Sequence, residues 1–307
     1  MPRERYHEHY QFLKTAERLG FEEVVRLSRL FVALGVRKLR ITGGEPLLRP
    51  ALADLVGDLS SLRGVDDIAL TTNGVLLAQH AAELRAAGLQ RVTVSLDSLD
   101  PAVFARMAGG LGSPEEVLSG IDAAQRAGLS PIKVNAVVQR GVNDHTVLDL
   151  IGHFRGTGIV VRLIEYMDVG NRNDWKPAEV VPSRELIERI GARWPLLPAA
   201  AQYRGEVARR YVFQDGSGEI GLISSVTQPF CGDCTRARLS SDGRLYGCLF
   251  ATEGVDLRGP LRAGQTDEEL SALIRSFWER RADRYSEQRL TLHSRAAPRV
   301  EMNHIGG

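Results

Sequence analysis

A chain of 307 residues with 43% hydrophobic and 25% charged positions can bury a sizeable core, in one large domain or two smaller ones. Its 39 basic and 38 acidic side chains leave a net charge of +1, which excludes the broad basic footprint of a nucleic-acid binder. No apolar run approaches a membrane span and the polar start Met1-Pro-Arg-Glu-Arg-Tyr-His-Glu-His has no signal-peptide core, so the cytoplasm is the expected compartment.

In chain order, the first segment is charged and irregular. His7 and His9 flank Glu8, but a lone His-x-His is a weak metal signal and reads as a solvated loop or lid. Phe21 to Leu34 places Leu27, Leu30, Phe31 and Leu34 on one helical stripe, stopped by Gly35. A strand–helix rhythm then begins. Strands are expected at Lys38-Leu-Arg-Ile-Thr42, Ile68-Ala-Leu-Thr71, Arg91-Val-Thr-Val-Ser95, Ile132 to Val138 and Ile159 to Glu165. Helices are expected at Ala51–Leu62, from Gly74 to Ala87, from Ser113 to Gly128, and over Thr146–Phe154. Ser113 is the N-cap of the third, with Pro114 at N1 and Glu116 completing a capping box.

Five strands with intervening helices over about 130 residues are the signature of parallel βα units. The strands show little polar alternation, which predicts cover on both faces. Polar and glycine residues collect at the strands' C-terminal ends: Arg40, Thr42 to Glu45, Thr71, Asn73, Ser95, Asp97, Lys133, Asn135 and Glu165. Ligands bind at that end in parallel α/β folds.

After Gly170 the rhythm breaks. Residues 171 to 182 read as a loop, Ser183 to Ile190 as a short helix, and the Pro- and Ala-rich residues 195 to 205 as a linker. Arg209–Phe213 and Glu219–Ile223 predict a small antiparallel pair, and Thr266-Asp-Glu-Glu269 opens a helix that runs to about Arg281. The domains are therefore expected at 1–194, a barrel-like half, and 195–307, a C-terminal α+β region.

All three cysteines fall within that second region, spaced C-x2-C-x13-C at Cys231, Cys234 and Cys248. Asp242-Gly243 between two strand-like runs is a hairpin signal, and a hairpin would bring the thiols together. Arg236 and Arg238 would share one face of the first run, suited to an anionic group. A structural zinc normally takes four protein ligands, and no histidine lies between His153 and His293 to supply the fourth. Three thiols could instead hold an iron–sulfur cluster with one open iron. Spacing alone leaves both open.

Ile41-Thr-Gly43-Gly44-Glu45-Pro46, Leu70-Thr71-Thr-Asn73-Gly74, Ser95-Leu-Asp97, Lys133-Val-Asn135, Glu165-Tyr-Met167-Asp-Val-Gly170, the cysteine window and the terminal Gly306-Gly307, in this order, resemble the GTP 3′,8-cyclases of molybdenum-cofactor biosynthesis, a radical S-adenosylmethionine family. The resemblance implies a partial (β/α)6 barrel, its first strand missing here, with a C-terminal cluster-binding region. It implies two [4Fe-4S] clusters. One cleaves S-adenosylmethionine to a radical that takes hydrogen from ribose C3′ of GTP, and the other holds the guanine. It assigns Cys231, Cys234 and Cys248 to the second cluster. Arg40, Thr71, Lys133, Arg236, Ala237 and Arg238 fall to GTP, and Gly44, Ser95 and Met167 to S-adenosylmethionine. Gly306-Gly307 matches the family's end, which reaches into the active site. An electron donor, a downstream cyclic pyranopterin monophosphate synthase and a homodimer are the implied partners.

The chain departs from the family at its start. The C-x3-C-x2-C ligands of the first cluster are absent, and Met1-Pro2 matches the dipeptide that typically follows the third of those cysteines. A longer native protein is expected. The chain as written is expected to be inactive alone and to aggregate or dimerise through an uncovered sheet edge, and no residue is assigned a catalytic role. The alternatives are a non-catalytic iron–sulfur or nucleotide-binding protein and a zinc-stabilised α/β protein.

Overall fold

The computed structural model describes residues 13, 15–170, 174–292 and 300–306. The His7/His9 pair, the Met1-Pro2 start, part of the 171–182 loop and Gly307 lie outside them. In chain order the elements are α1 (Phe21–Ala33), β1 (Lys38–Ile41), α2 (Leu52–Ser60), β2 (Asp67–Thr72), α3 (Leu77–Ala86), β3 (Arg91–Ser95), α4 (Pro101–Ala108), α5 (Pro114–Arg126), β4 (Ile132–Val138), α6 (Val147–Phe154) and β5 (Val160–Glu165). There follow α7 (Ser183–Arg193), β6 (Leu196–Ala199), β7 (Arg209–Phe213), β8 (Glu219–Ile223), β9 (Arg238–Leu239), β10 (Arg244–Tyr246), β11 (Val255–Asp256), α8 (Arg258–Arg262), α9 (Asp267–Glu279), α10 (Tyr285–Leu292) and α11 (Met302–Ile305).

The local chemistry explains the element ends. Ser113 Oγ accepts from the Glu116 N–H at 3.3 Å to start α5, and Thr266 and Glu269 complete a reciprocal capping box on α9. Asp100 caps α4, an element not expected from the sequence, by accepting from the Val103 N–H.

The main sheet runs β1-β2-β3-β4-β5-β8-β7-β6, parallel from β1 through β5 to β8, with β7 and β6 antiparallel. Two expectations are corrected. The 195–205 linker contains strand β6; its Pro198 is tolerated because β6 is an edge strand that pairs on one side. The β7–β8 pair extends the main sheet, since β8 lies parallel to β5.

The expected cover on both faces is also corrected. Along β4 and β5, buried and half-exposed residues alternate. Val134, Ala136, Val161 and Leu163 face the helices and join Leu70, Val94, Leu77, Leu84, Ile121 and Leu150 in one core. Each such burial contributes about 1.5–3 kcal/mol for a large aliphatic side chain. Lys133, Asn135 and Arg162 are on the other face.

That other face is concave. A flat sheet would hold β1 and β7 about 30 Å apart at normal strand spacing. Yet Lys38 Nζ of β1 lies 3.9 Å from the ring centroid of Tyr203 in the β6–β7 loop. The sheet therefore curls around a hollow.

A second antiparallel sheet, β11-β10-β9, holds the cysteine window. Its Leu245 packs with Leu27 and Leu30 of α1 and Leu270 and Ile274 of α9 in a separate core. The first described helix thus supports the C-terminal hairpin.

Candidate functional site

The hollow is lined by cations. Arg40 from β1 donates to Thr71 Oγ1 at 2.9 Å and to Thr93 Oγ1 at 3.4 Å. Arg162 from β5 donates to Asn135 Oδ1 at 2.9 Å and to the same Thr93 Oγ1 at 3.4 Å. Lys133 is the register partner of Thr93, so it stands beside the threonine that both guanidiniums reach. Burial, followed by the charges of Arg162, Arg91 and Arg40, pulls the Lys133 ammonium down to about 8. Burial and Arg40 bring Arg162 to about 10. Arg40 stays open to solvent, yet enclosure by protein is the main cause lowering its own pKa. Both follow if its tip faces a walled, water-filled hollow.

Gly221 makes room for this arrangement. A Cβ there would stand 3.0 Å from Arg162 Cγ and 3.2 Å from Ala208 Cβ, so the arginine stem lies against bare backbone. Arg91 is already neutralised by Asp67, at 2.7 and 2.9 Å from its Nε. The chemistry of the remaining cations suits a multiply charged anion.

The cysteine window folds as the Asp242-Gly243 signal predicts. Tyr246 pairs with Arg238 and Leu245 with Leu239, and Gly243 turns with φ 79°. All three thiols are free and half-buried. Burial raises the Cys234 thiol, but the Arg236 guanidinium, 3.3 Å from its sulfur, and Arg281 outweigh that and bring it down to about 7. Burial raises the Cys248 thiol; the Phe250 N–H, 3.4 Å from its sulfur, works the other way. Arg238 is held at about 10 by burial and Arg236 and feels both Cys248 and Cys234, so its guanidinium lies near the sulfurs. Ala237 is exposed beside it. Among the described residues, no three His, Cys, Asp or Glu side chains close on one point as a mononuclear metal site requires.

The chain end also comes here. Arg238 Nε donates to the Gly306 carbonyl at 3.2 Å. Gly306 packs on Thr42 and the Gly43 N–H at the end of β1. His304 Nε2 lies 3.2 Å from Asp242 Oδ1 and holds the tail to the hairpin turn.

Gly44, Ser95 and Met167 stand just past or at the C-terminal ends of β1, β3 and β5. Space is open where a Cβ on Gly43 or Gly44 would lie. Glu45 accepts from the Leu47 N–H, Thr72 Oγ1 and the Asn73 N–H, which fixes the Gly43-Gly44 turn against the end of β2. Glu165, grouped in sequence with the ligand-facing set, is structural. It is buried and accepts from the Ser183, Val226 and Thr227 N–H groups and from the Ser183 and Thr227 hydroxyls.

Two family profiles match the chain: the radical SAM superfamily over residues 5–154 and Molybdenum Cofactor Synthesis C over residues 159–287. A GTP 3′,8-cyclase of Xanthomonas campestris pv. campestris (strain B100) is 54% identical over 307 residues, covering 100% of this chain and 89% of the relative. The chain belongs to the GTP 3′,8-cyclase family. GTP 3′,8-cyclases of Acidothermus cellulolyticus (53% over 293 residues; 94% of this chain, 81% of the relative) and Staphylococcus saprophyticus (45% over 310 residues; 100% and 91%) are similar too. The chain is thus a radical SAM lyase of molybdenum cofactor biosynthesis, and that family chemistry implies a [4Fe-4S] cluster, S-adenosylmethionine and GTP. The fold is shared with a solved chain described as native anSMEcpe with bound AdoMet and Kp18Cys peptide, at TM-score 0.51 and 14% identity over 78% of this chain and 67% of that one.

The three thiols of the C-terminal window would suit an iron–sulfur centre by donor chemistry, whereas the chain carries no C-x3-C-x2-C set for the cluster that works on S-adenosylmethionine. Thiols with guanidinium and N–H donors at the sulfur are the surroundings of an iron–sulfur centre. Sequence reasoning missed Lys38 and Arg162 as members of the basic hollow. For Lys38 the available signal was parity, two residues before Arg40; Arg162 is recognised only through its register with Asn135.

Proposed function

We propose that the hollow binds GTP with its triphosphate on Arg40, Thr71, Lys133 and Arg162, its base toward Arg236, Ala237 and Arg238, and a [4Fe-4S] cluster on Cys231, Cys234 and Cys248. The observation that carries this is the convergence of Arg40 and Arg162, from strands four apart, on one threonine beside Lys133. Cations so placed repel one another and raise the free energy of the empty site, and a triphosphate removes that cost. The curled sheet is read as a partial (β/α)6 barrel. Gly44, Ser95 and Met167 form its S-adenosylmethionine edge; the residues of this chain supply no thiol ligands for a cluster at that edge. The chain's own residues bind, orient and enclose the nucleotide: backbone at Gly44 admits the amino-acid end of S-adenosylmethionine, and Arg238 and Gly306 close the wall between sulfurs and substrate.

On this reading residues 1–194 form the radical module and 195–307 the region holding cluster and base, a division of labour rather than a break in the sheet. The protein works in the cytoplasm, draws on an electron donor and passes its product to cyclic pyranopterin monophosphate synthase. A homodimer would use the sheet edge at β1. No helix among the described residues is long and apolar enough to cross a membrane.

Anaerobic reconstitution followed by iron, sulfide and zinc analysis tests the reading. Three cysteines allow one cluster, so about four irons per chain are expected, with a spectrum that changes on adding GTP. Zinc without iron and no response to GTP would overturn it.

A further inference from the structure

The segment between α9 and α10 has no part in the assignments above, yet it folds over the cysteine window. Arg281, just past the end of α9, donates from Nη1 to the Cys234 carbonyl at 2.7 Å. Its stem lies along the residue before Cys248: a Cβ on Gly247 would stand 3.1 Å from Arg281 Cδ, 3.2 Å from its Nε and 2.5 Å from Asp283 Oδ2. Gly247 lies outside the left-handed region, so no turn demands a glycine there. What the missing side chain supplies is room for the arginine. One side chain thus spans the window, from Cys234 before β9 to the neighbour of Cys248 after β10.

For a group so enclosed, Arg281 is poorly neutralised. Its side chain is 11% exposed, and its Nε is buried with no hydrogen bond among the described residues. Asp283 Oδ2 stands 3.5 Å from that Nε, on a carboxylate that is 35% exposed and shares its charge with water. The guanidinium also lies over the Trp278 ring, 4.8 Å from its centroid, which attracts a cation without cancelling its charge. Arg236, the other arginine at Cys234, reaches the sulfur from the exposed side. Arg281 is behind it, held by backbone.

We propose that Arg281 is a positioning residue for the C-terminal iron–sulfur centre: it fixes the Cys234 and Cys248 segments relative to one another and supplies a permanent positive charge that favours the centre's reduced state. The proposal rests on the cluster reading of the cysteine window. Three thiolates on a [4Fe-4S] core leave a net negative charge, and reduction adds one more. A fixed cation behind two of the ligand segments favours both.

Anaerobic potentiometric titration of the reconstituted chain tests this without any need for turnover, and its three cysteines leave one centre to read. Arg281→Met is expected to take up as much iron and sulfide as the parent and to be reduced about tenfold less readily, about 59 mV lower for one electron, the effect of removing one unit charge at partly screened range. Arg281→Lys keeps the charge and should stay near the parent. Gly247→Ala displaces the arginine stem without removing the charge and should fall between the two. A potential unchanged in Arg281→Met, or lowered equally in Arg281→Lys, would overturn the charge role and leave only a backbone clamp. Should Arg281→Met lose its cooperative melt, Gly247→Ala carries the test, and a potential equal to the parent's there would overturn the proposal. A parent chain that takes up no iron would instead overturn the cluster reading itself.

Discussion

Arg162 bridges two registers of the hollow, from Asn135 at its Nε to Thr93 at its Nη2. Charge-assisted hydrogen bonds to phosphate are worth about 1.5–3 kcal/mol each. Arg162→Met should therefore weaken GTP binding by about ten- to hundredfold with little change in melting temperature, measured by calorimetry and thermal unfolding side by side. Lys133 gives the pH dependence. Its pKa in the free protein is about 8, lowered first by burial and then by neighbouring arginines. A bound polyanion favours the charged ammonium and raises that value. Between the free and bound pKa values the complex holds more protons than the free chain, so GTP affinity should fall as pH rises through about 8. Affinity flat from pH 7 to 9.5 would remove Lys133 from the phosphate site. The same shift acts on stability with the opposite sense: a depressed ammonium makes the unfolded chain the better proton binder above about 8, so the empty fold gains stability there.

Among the elements, α10 ties the two sides of the site together. Arg289 donates to Asp168 Oδ1 at 2.6 Å and to the Ser225 carbonyl at 2.8 Å, and Tyr285 donates to the other Asp168 oxygen. Arg289 and Asp168 side chains are each 2% exposed. Phe250, two residues beyond Cys248, stacks on Tyr285 with ring centroids 4.7 Å apart. One helix thus braces the residue after Met167 and the segment after Cys248. Removing one partner leaves a buried charge, which costs about 3–5 kcal/mol. Asp168→Asn should lose that much in chemical denaturation and weaken S-adenosylmethionine binding. An effect under about 1 kcal/mol would show the pair to be solvated.

At the scale of the molecule, the two halves share one sheet and one helix. Truncation after residue 194 would uncover the β5 edge that pairs with β8 and the face of α1 that packs on Leu245, Leu270 and Ile274. A 1–194 fragment should therefore aggregate rather than fold, because an open edge and an apolar patch are exposed together. A monodisperse fragment with a cooperative melt would show instead that the first half is autonomous.

The sequence by itself determined the βα order, the strand limits at Arg91–Ser95 and Ile132–Val138, the cysteine hairpin and the family. These rest on local terms: periodicity within each element, a cap such as Ser113, and a turn such as Asp242-Gly243. Only the tertiary structure decided that β6, β7 and β8 complete the main sheet, that Glu165 is a buried latch, and that Arg162 from β5 meets Arg40 from β1 around one hollow. Those depend on which strands pair and on how far the sheet curls. Both are set by side chains far apart in sequence, for which neither propensity nor spacing carries a signal.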